Sequence, residues 1–220
     1  MIGPRSFLAS TIGQKVVMAV TGAILFGFVV AHLAGNLLLY QGPDAINAYG
    51  RELRELLHGA ALPVARVTLL LAVVLHIWAA WSLTVRNAQA RPHGYKRLAS
   101  QKSTYASRTM RWSGVIILAF VVYHLMHFTF GNAHPSFVEG DVYHNVVAGF
   151  RVWPVALFYV FAMVLLGFHL NHGVWSMFHT LGVSHPGRRR ALRFGAAAFS
   201  FLIVLGNISF PLAVLLGLVS

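Results

Sequence analysis

The stretch VVMAVTGAILFGFVVAHLAGNLLLY (16–40) decides the fold class. From Val16 to Tyr40 it contains no Asp, Glu, Lys or Arg, and its one histidine is His32. As a helix it reaches about 37 Å, enough to cross a hydrocarbon core of roughly 30 Å. It is far longer than the apolar region of a secretory signal and lacks a convincing small-residue cleavage site. Four further apolar runs follow. With the first taken as about 15–40, they cover about 64–86, 111–131, 152–177 and 195–219. Lipid cannot satisfy backbone polar groups, so runs of this length read as helices. The expectation is an all-α integral membrane bundle of five transmembrane helices, with residues 1–220 forming one domain.

Composition agrees. Hydrophobic residues make up 57 % of the chain, charged residues 10 %, and mean hydropathy is +0.68. Soluble domains carry about 25 % charged residues, so there is too little polar surface for a water-facing globule. Intrinsic disorder is excluded by the same apolar excess.

The net charge of +12 is not a nucleic-acid signature, because the charges segregate by loop. All five acids (Asp44, Glu52, Glu55, Glu139, Asp141) fall in two connections. Placing the N-terminus in the cytoplasm puts thirteen basic residues inside: Arg5, Lys15, Arg86, Arg91, Lys96, Arg97, Lys102, Arg108, Arg111, Arg188, Arg189, Arg190 and Arg193. Four remain outside: Arg51, Arg54, Arg66 and Arg151. The positive-inside rule therefore predicts a cytoplasmic N-terminus and an outer C-terminus.

Between spans, DAINAYGRELRELLH (44–58) reads as a short amphipathic helix on the outer surface. Arg86 to Thr109 reads as a basic cytoplasmic loop, either a solvated connection that sets topology or a docking surface for a soluble partner. No internal repeat is apparent.

Histidines carry the chemistry. Cysteine is absent, which removes disulfides, thiolate metal sites and covalent c-type haem. Six histidines lie inside spans: His32, His76, His124, His127, His169 and His172. Ionisable groups in hydrocarbon are costly and are functional suspects by default. Depth pairs four of them. His32 lies about 12 Å and His124 about 11 Å from the outer ends of spans that both run outward. His76 and His169, on inward-running spans, lie about 12–15 Å from the inner ends. Two imidazole pairs at two depths suit axial ligation of two b-type haems. Gly27, Ala31 and Gly35 beside His32, and Gly167 and Gly173 beside His169, provide close backbone approach, or else ordinary helix packing. A zinc or di-iron site would call for carboxylates in the spans, and none is there.

With these residues in place, the chain resembles a known family. TGAILFGFVVAHLAGN (21–36), LHIWAAWSLTVRNAQARPHGY (75–95), SGVIILAFVVYHLMHF (113–128) and FHLNHGVWSMFHTLG (168–182) are similar to the single-chain, five-helix diheme cytochrome b of succinate:quinone and fumarate:quinone oxidoreductases. The resemblance implies a membrane anchor and electron-transfer subunit of a respiratory, tricarboxylic acid cycle enzyme. It implies His32 and His124 on the outer (distal) haem iron and His76 and His169 on the inner (proximal) one, the pairing that depth also suggests. His127 and His172 fall outside the ligand positions and become candidates for propionate or quinone contacts, although a ligand exchange by one turn stays open. Lys15, Arg86, Arg108 and Arg111 are candidates for propionates, or are plain topology charges.

The resemblance further implies two cytoplasmic partners, an FAD-bearing flavoprotein and an iron–sulfur subunit, with menaquinone or ubiquinone as substrate. The setting is the inner (cytoplasmic) membrane, and a higher oligomer of the complex stays open. Glu52, Glu55 and His58 are candidates for proton exchange at an outer quinone site, or form a solvated helix face. The alternatives are the haem b anchor of a hydrogenase or formate dehydrogenase, and a haem-free histidine-bearing transporter.

Overall fold

The computed structural model describes residues 4–90, 105–183 and 185–220. Arg91, Lys96, Arg97 and Lys102, and with them most of the expected docking loop, lie outside the described residues, as does the side chain of Arg108. Eight α-helices are described: α1 (Pro4–Ala9), α2 (Thr11–Asn36), α3 (Pro43–Glu55), α4 (Ala61–Gln89), α5 (Tyr105–Phe128), α6 (Val142–Arg151), α7 (Trp153–Thr180) and α8 (Arg189–Leu215). Five of them, α2, α4, α5, α7 and α8, are long and apolar enough to cross a membrane.

The ends of these helices follow local chemistry. Ser10 caps α2 by accepting the Gly13 N–H at 2.9 Å, satisfying one of the orphan donors of the first turn. In α3, Pro43 and Asp44 open the first turn and Arg54 closes the last, in keeping with the helix dipole. The amphipathic segment stops at Glu55, three residues short of the expected end. Leu57 and His58 adopt left-handed backbone (φ 54° and 55°) ahead of Gly59, so His58 stands in a turn. The basic loop is shorter than its composition suggests, because α4 runs through Arg86 to Gln89 and α5 begins at Tyr105. Helix α6 is an addition to the expected plan.

Helix α7 lies centrally, packed on α2, α5 and α8, while α4 packs chiefly on α2. Successive spans alternate in direction. Helices α3 and α6 pack on each other over one end of the bundle and form a cap. Asn47 joins them with both halves of its amide: Nδ2 donates to Asp141 at 3.0 Å and Oδ1 accepts the Tyr143 N–H at 3.0 Å. The buried apolar cluster gathers toward this end, around Leu39, Ile46, Val147, Phe150, Tyr159 and Phe210. Burying Ile46 or Val147 from water is worth roughly 1.5–3 kcal/mol each. Lys15, Arg86, Arg111 and the Arg188–Arg190 cluster mark the opposite, basic end. Along the spans, large apolar side chains such as Trp81, Val115, Phe194 and Leu205 point outward, as lipid contact requires.

Candidate functional site

The bundle brings four of the six span histidines together in two pairs. His32 on α2 and His124 on α5 have ring centres 5.9 Å apart, with the planes nearly perpendicular at 88°. His76 on α4 and His169 on α7 have ring centres 6.4 Å apart, inclined at 56°. Two metal–nitrogen bonds of about 2 Å, with about 1.1 Å from each nitrogen to its ring centre, call for about 6 Å between imidazole centres on one iron. Both pairs meet that separation, so the donor set fits bis-imidazole haem ligation. Among the described residues no cluster of three or more His, Cys, Asp or Glu is arranged to hold a bare metal ion.

The levels of the pairs follow from helix rise. Thr21 touches His76, and His32 stands eleven residues further along the same helix. Ser113 touches His169, and His124 stands eleven residues beyond it on α5. Each route separates the two levels by about 16 Å along the bundle. The pair nearer the cap is His32/His124, and the pair nearer the basic end is His76/His169.

These contacts uncover a repeat that the sequence alone did not reveal. TGAILFGFVVAH (21–32) and SGVIILAFVVYH (113–124) share Gly22/Gly114, Ile24/Ile116, Phe28/Phe120, Val29/Val121, Val30/Val122 and His32/His124. The equivalence is also spatial. Phe28 lies 5.3 Å from the His32 ring and Phe120 lies 5.8 Å from the His124 ring. In each copy the leading hydroxyl residue meets a histidine of the other pair. Divergent apolar positions hide the match in a chain where almost any two spans look alike.

His127 occupies a different setting from His124. Its ring has no exposed surface and is closed in by Tyr123, Phe128 and His134. Nδ1 lies 3.0 Å from the Tyr159 hydroxyl, and Nε2 has no hydrogen-bond partner. A Cβ built on Gly149 would fall 2.8 Å from the His127 ring, so α6 is pressed against it. Tyr159, buried as well, also sets its hydroxyl 3.3 Å from Nδ1 of His124. Behind His127, His134 accepts the Ser136 N–H at Nδ1 and therefore donates from Nε2 to the Asn145 carbonyl at 2.8 Å. Tyr159 and His134 escaped sequence reading because nothing local marks them.

His172 lies at the basic end beside Trp175, with ring centres 6.3 Å apart. Trp175 in turn stacks on His179, and the Arg193 guanidinium sits 4.7 Å over its ring. Lys15 and Arg111 are exposed and Arg86 is half-buried. Glu52, Glu55 and His58 are all exposed at the cap end. The glycines divide. Gly35 packs against Tyr49 and Gly167 against Val204, so these two serve helix packing, whereas a Cβ on Gly27 or Gly173 would meet nothing within 4 Å.

The sequence profile of the succinate dehydrogenase/fumarate reductase transmembrane subunit family matches residues 86–206. The chain belongs to that family. As a family member it is a multi-pass membrane subunit of an enzyme complex and is not itself the catalytic subunit. No curated protein and no solved structure gives a significant match. The matched region includes one histidine of each pair, His124 and His169. Their partners, His32 and His76, lie outside it and are joined to them by the bundle geometry.

Proposed function

We propose that this subunit holds two b haems, the distal one between His32 and His124 and the proximal one between His76 and His169. In this reading it links an iron–sulfur subunit to membrane quinone in a succinate:quinone or fumarate:quinone oxidoreductase. The observation that carries it is the pair of imidazole separations, 5.9 and 6.4 Å, at two levels of one bundle. Bound b haems supply reversible one-electron transfer without a change in ligands. The chain supplies four imidazoles, a sheath of apolar helices that excludes water from them, and a hydroxyl beside three of the four rings.

The basic end faces the cytoplasm in this proposal, as the positive-inside rule favours. There it receives the iron–sulfur subunit and, through it, the FAD-bearing flavoprotein, and the whole lies in the inner membrane. Residues 1–220 act as one cytochrome b domain. His172, Trp175 and Arg193, with Lys15, Arg86 and Arg111, offer cationic and N–H groups for propionates at the proximal level. Quinone reacts toward the cap end. Glu52, Glu55 and His58, exposed there, exchange its protons with water.

The test is optical. Adding succinate to the purified complex should give the same sharp low-spin b-type bands that dithionite gives. A colourless membrane subunit would end this reading.

A further inference from the structure

We propose that Thr21 and Ser113 are positioning residues that fix which nitrogen of His76 and of His169 is free to bind iron. This rests on the two-haem reading and concerns its proximal site.

A hydroxyl has one hydrogen to give. Thr21 Oγ1 lies 2.7 Å from the Val17 carbonyl oxygen, one turn back, and donates to it. What it presents to Nδ1 of His76, 3.1 Å away, is a lone pair, and the Met18 carbonyl, 3.2 Å from the same hydroxyl, is a second acceptor for this ring; with Nδ1 carrying the ring hydrogen, Nε2 is left as the ligand nitrogen. Ser113 repeats the arrangement. Its Oγ donates to the Met110 carbonyl at 3.1 Å and faces Nδ1 of His169 at 3.4 Å. Both residues are buried, at 5 % and 2 % exposure, so water does not take their place.

Back-bonding of Ser and Thr to a carbonyl one turn earlier is common in apolar helices and by itself needs no histidine. It does not explain why the two hydroxyls occupy equivalent places in the two repeats. Nor does it explain why each faces one of the two opposed rings of a single pair. The following residue repeats too: a Cβ on Gly22 would lie 3.4 Å from Cε1 of His76, and one on Gly114 would lie 3.7 Å from Cε1 of His169. The two repeat segments thus meet the two rings of one pair with the same Thr/Ser-Gly pair. Partners of a ligand's second nitrogen orient the ring and raise its basicity.

The experiment uses the whole complex carrying Thr21→Val, Ser113→Ala and the double substitution, with Thr21→Ser and Ser113→Thr as hydroxyl-retaining controls. Removing the acceptor makes the imidazole a weaker donor. The proximal-haem midpoint potential should therefore rise and its low-spin ferric resonance should move, while the distal haem keeps both. Retention of the proximal haem against a haem-scavenging apoprotein should fall about 10- to 100-fold, and the hydroxyl-retaining variants should recover it. An unchanged proximal potential and resonance in the double variant would overturn the proposal. Equal damage in Thr21→Ser and Thr21→Val would also overturn it, because retaining the hydroxyl would then protect nothing. A wild-type complex without haem would instead remove the two-haem reading itself, so the two failures are distinguishable.

Discussion

Tyr159 holds its phenolic oxygen 3.0 Å from Nδ1 of His127, a histidine with no exposed surface. The same oxygen lies 3.3 Å from Nδ1 of His124. One hydroxyl thus stands between a proposed ligand, His124, and the fully buried His127. If His124 binds iron through Nε2, its Nδ1–H donates to Tyr159, whose own hydrogen goes to His127. Tyr159→Phe should shift the distal haem spectrum and leave the proximal haem untouched. Stranding buried nitrogens should lower stability by roughly 1–3 kcal/mol, readable by thermal unfolding. Equal shifts in both haems would contradict the arrangement.

Gly149 supports the same corner. A Cβ there would meet the His127 ring at 2.8 Å, with His134 close behind at 3.1 Å. Gly149→Ala should push α6 outward and destabilise the cap by about 1–3 kcal/mol. Hydrogen exchange should detect this as faster exchange over 142–151, with both haems retained. Unchanged exchange there would show that the His127 corner yields freely.

The joint between α3 and α6 should depend on pH through Asp141. The His144 N–H, first, and then the Asn47 side chain hold this carboxyl below its usual range. Its contribution is complete above the ordinary carboxylate value, about pH 4, and is lost as pH falls through the depressed folded value. Protection of the first turn of α6 should accordingly hold from neutral pH down to that range and drop below it. Asp141→Asn should flatten this dependence, and Asp141→Ala should cost about 1 kcal/mol as a lost cap. A pH response that persists in Asp141→Asn would assign it to another group.

The five spans were legible because length and apolarity are properties of a run, and they survive any packing. The pairing of His32 with His124 and of His76 with His169 was legible for a similar reason: rise per residue converts position into depth. What escaped depends on contacts between distant segments. Helix α6 is only ten residues long, and its clearest mark, the Asp141 cap, makes sense beside Asn47. The burial of His127 depends on Gly149, Tyr159 and His134, which periodicity along α5 cannot foresee. The segment ending at His58 matched the helical pattern, but Leu57 and His58 turn left-handed and end it early.

In the proposed reading, docking of the soluble subunits should depend on the basic charge of the segment between α4 and α5. Replacing Arg91, Lys96 and Arg97 together by Glu should release the flavoprotein and iron–sulfur subunits from membranes at physiological salt, with the haem spectrum preserved. Complete retention of both subunits in washed membranes would reduce these charges to topology alone.

The most direct test of the ligation scheme is haem per chain by pyridine haemochrome, in the purified complex and in the four single His→Ala variants at positions 32, 76, 124 and 169. The scheme predicts two haems in the unsubstituted complex and one in each variant. His32→Ala and His124→Ala should lose the same spectral component, and His76→Ala and His169→Ala the other. Two haems retained in any of the four, or components lost in the pairing His32 with His76, would contradict it.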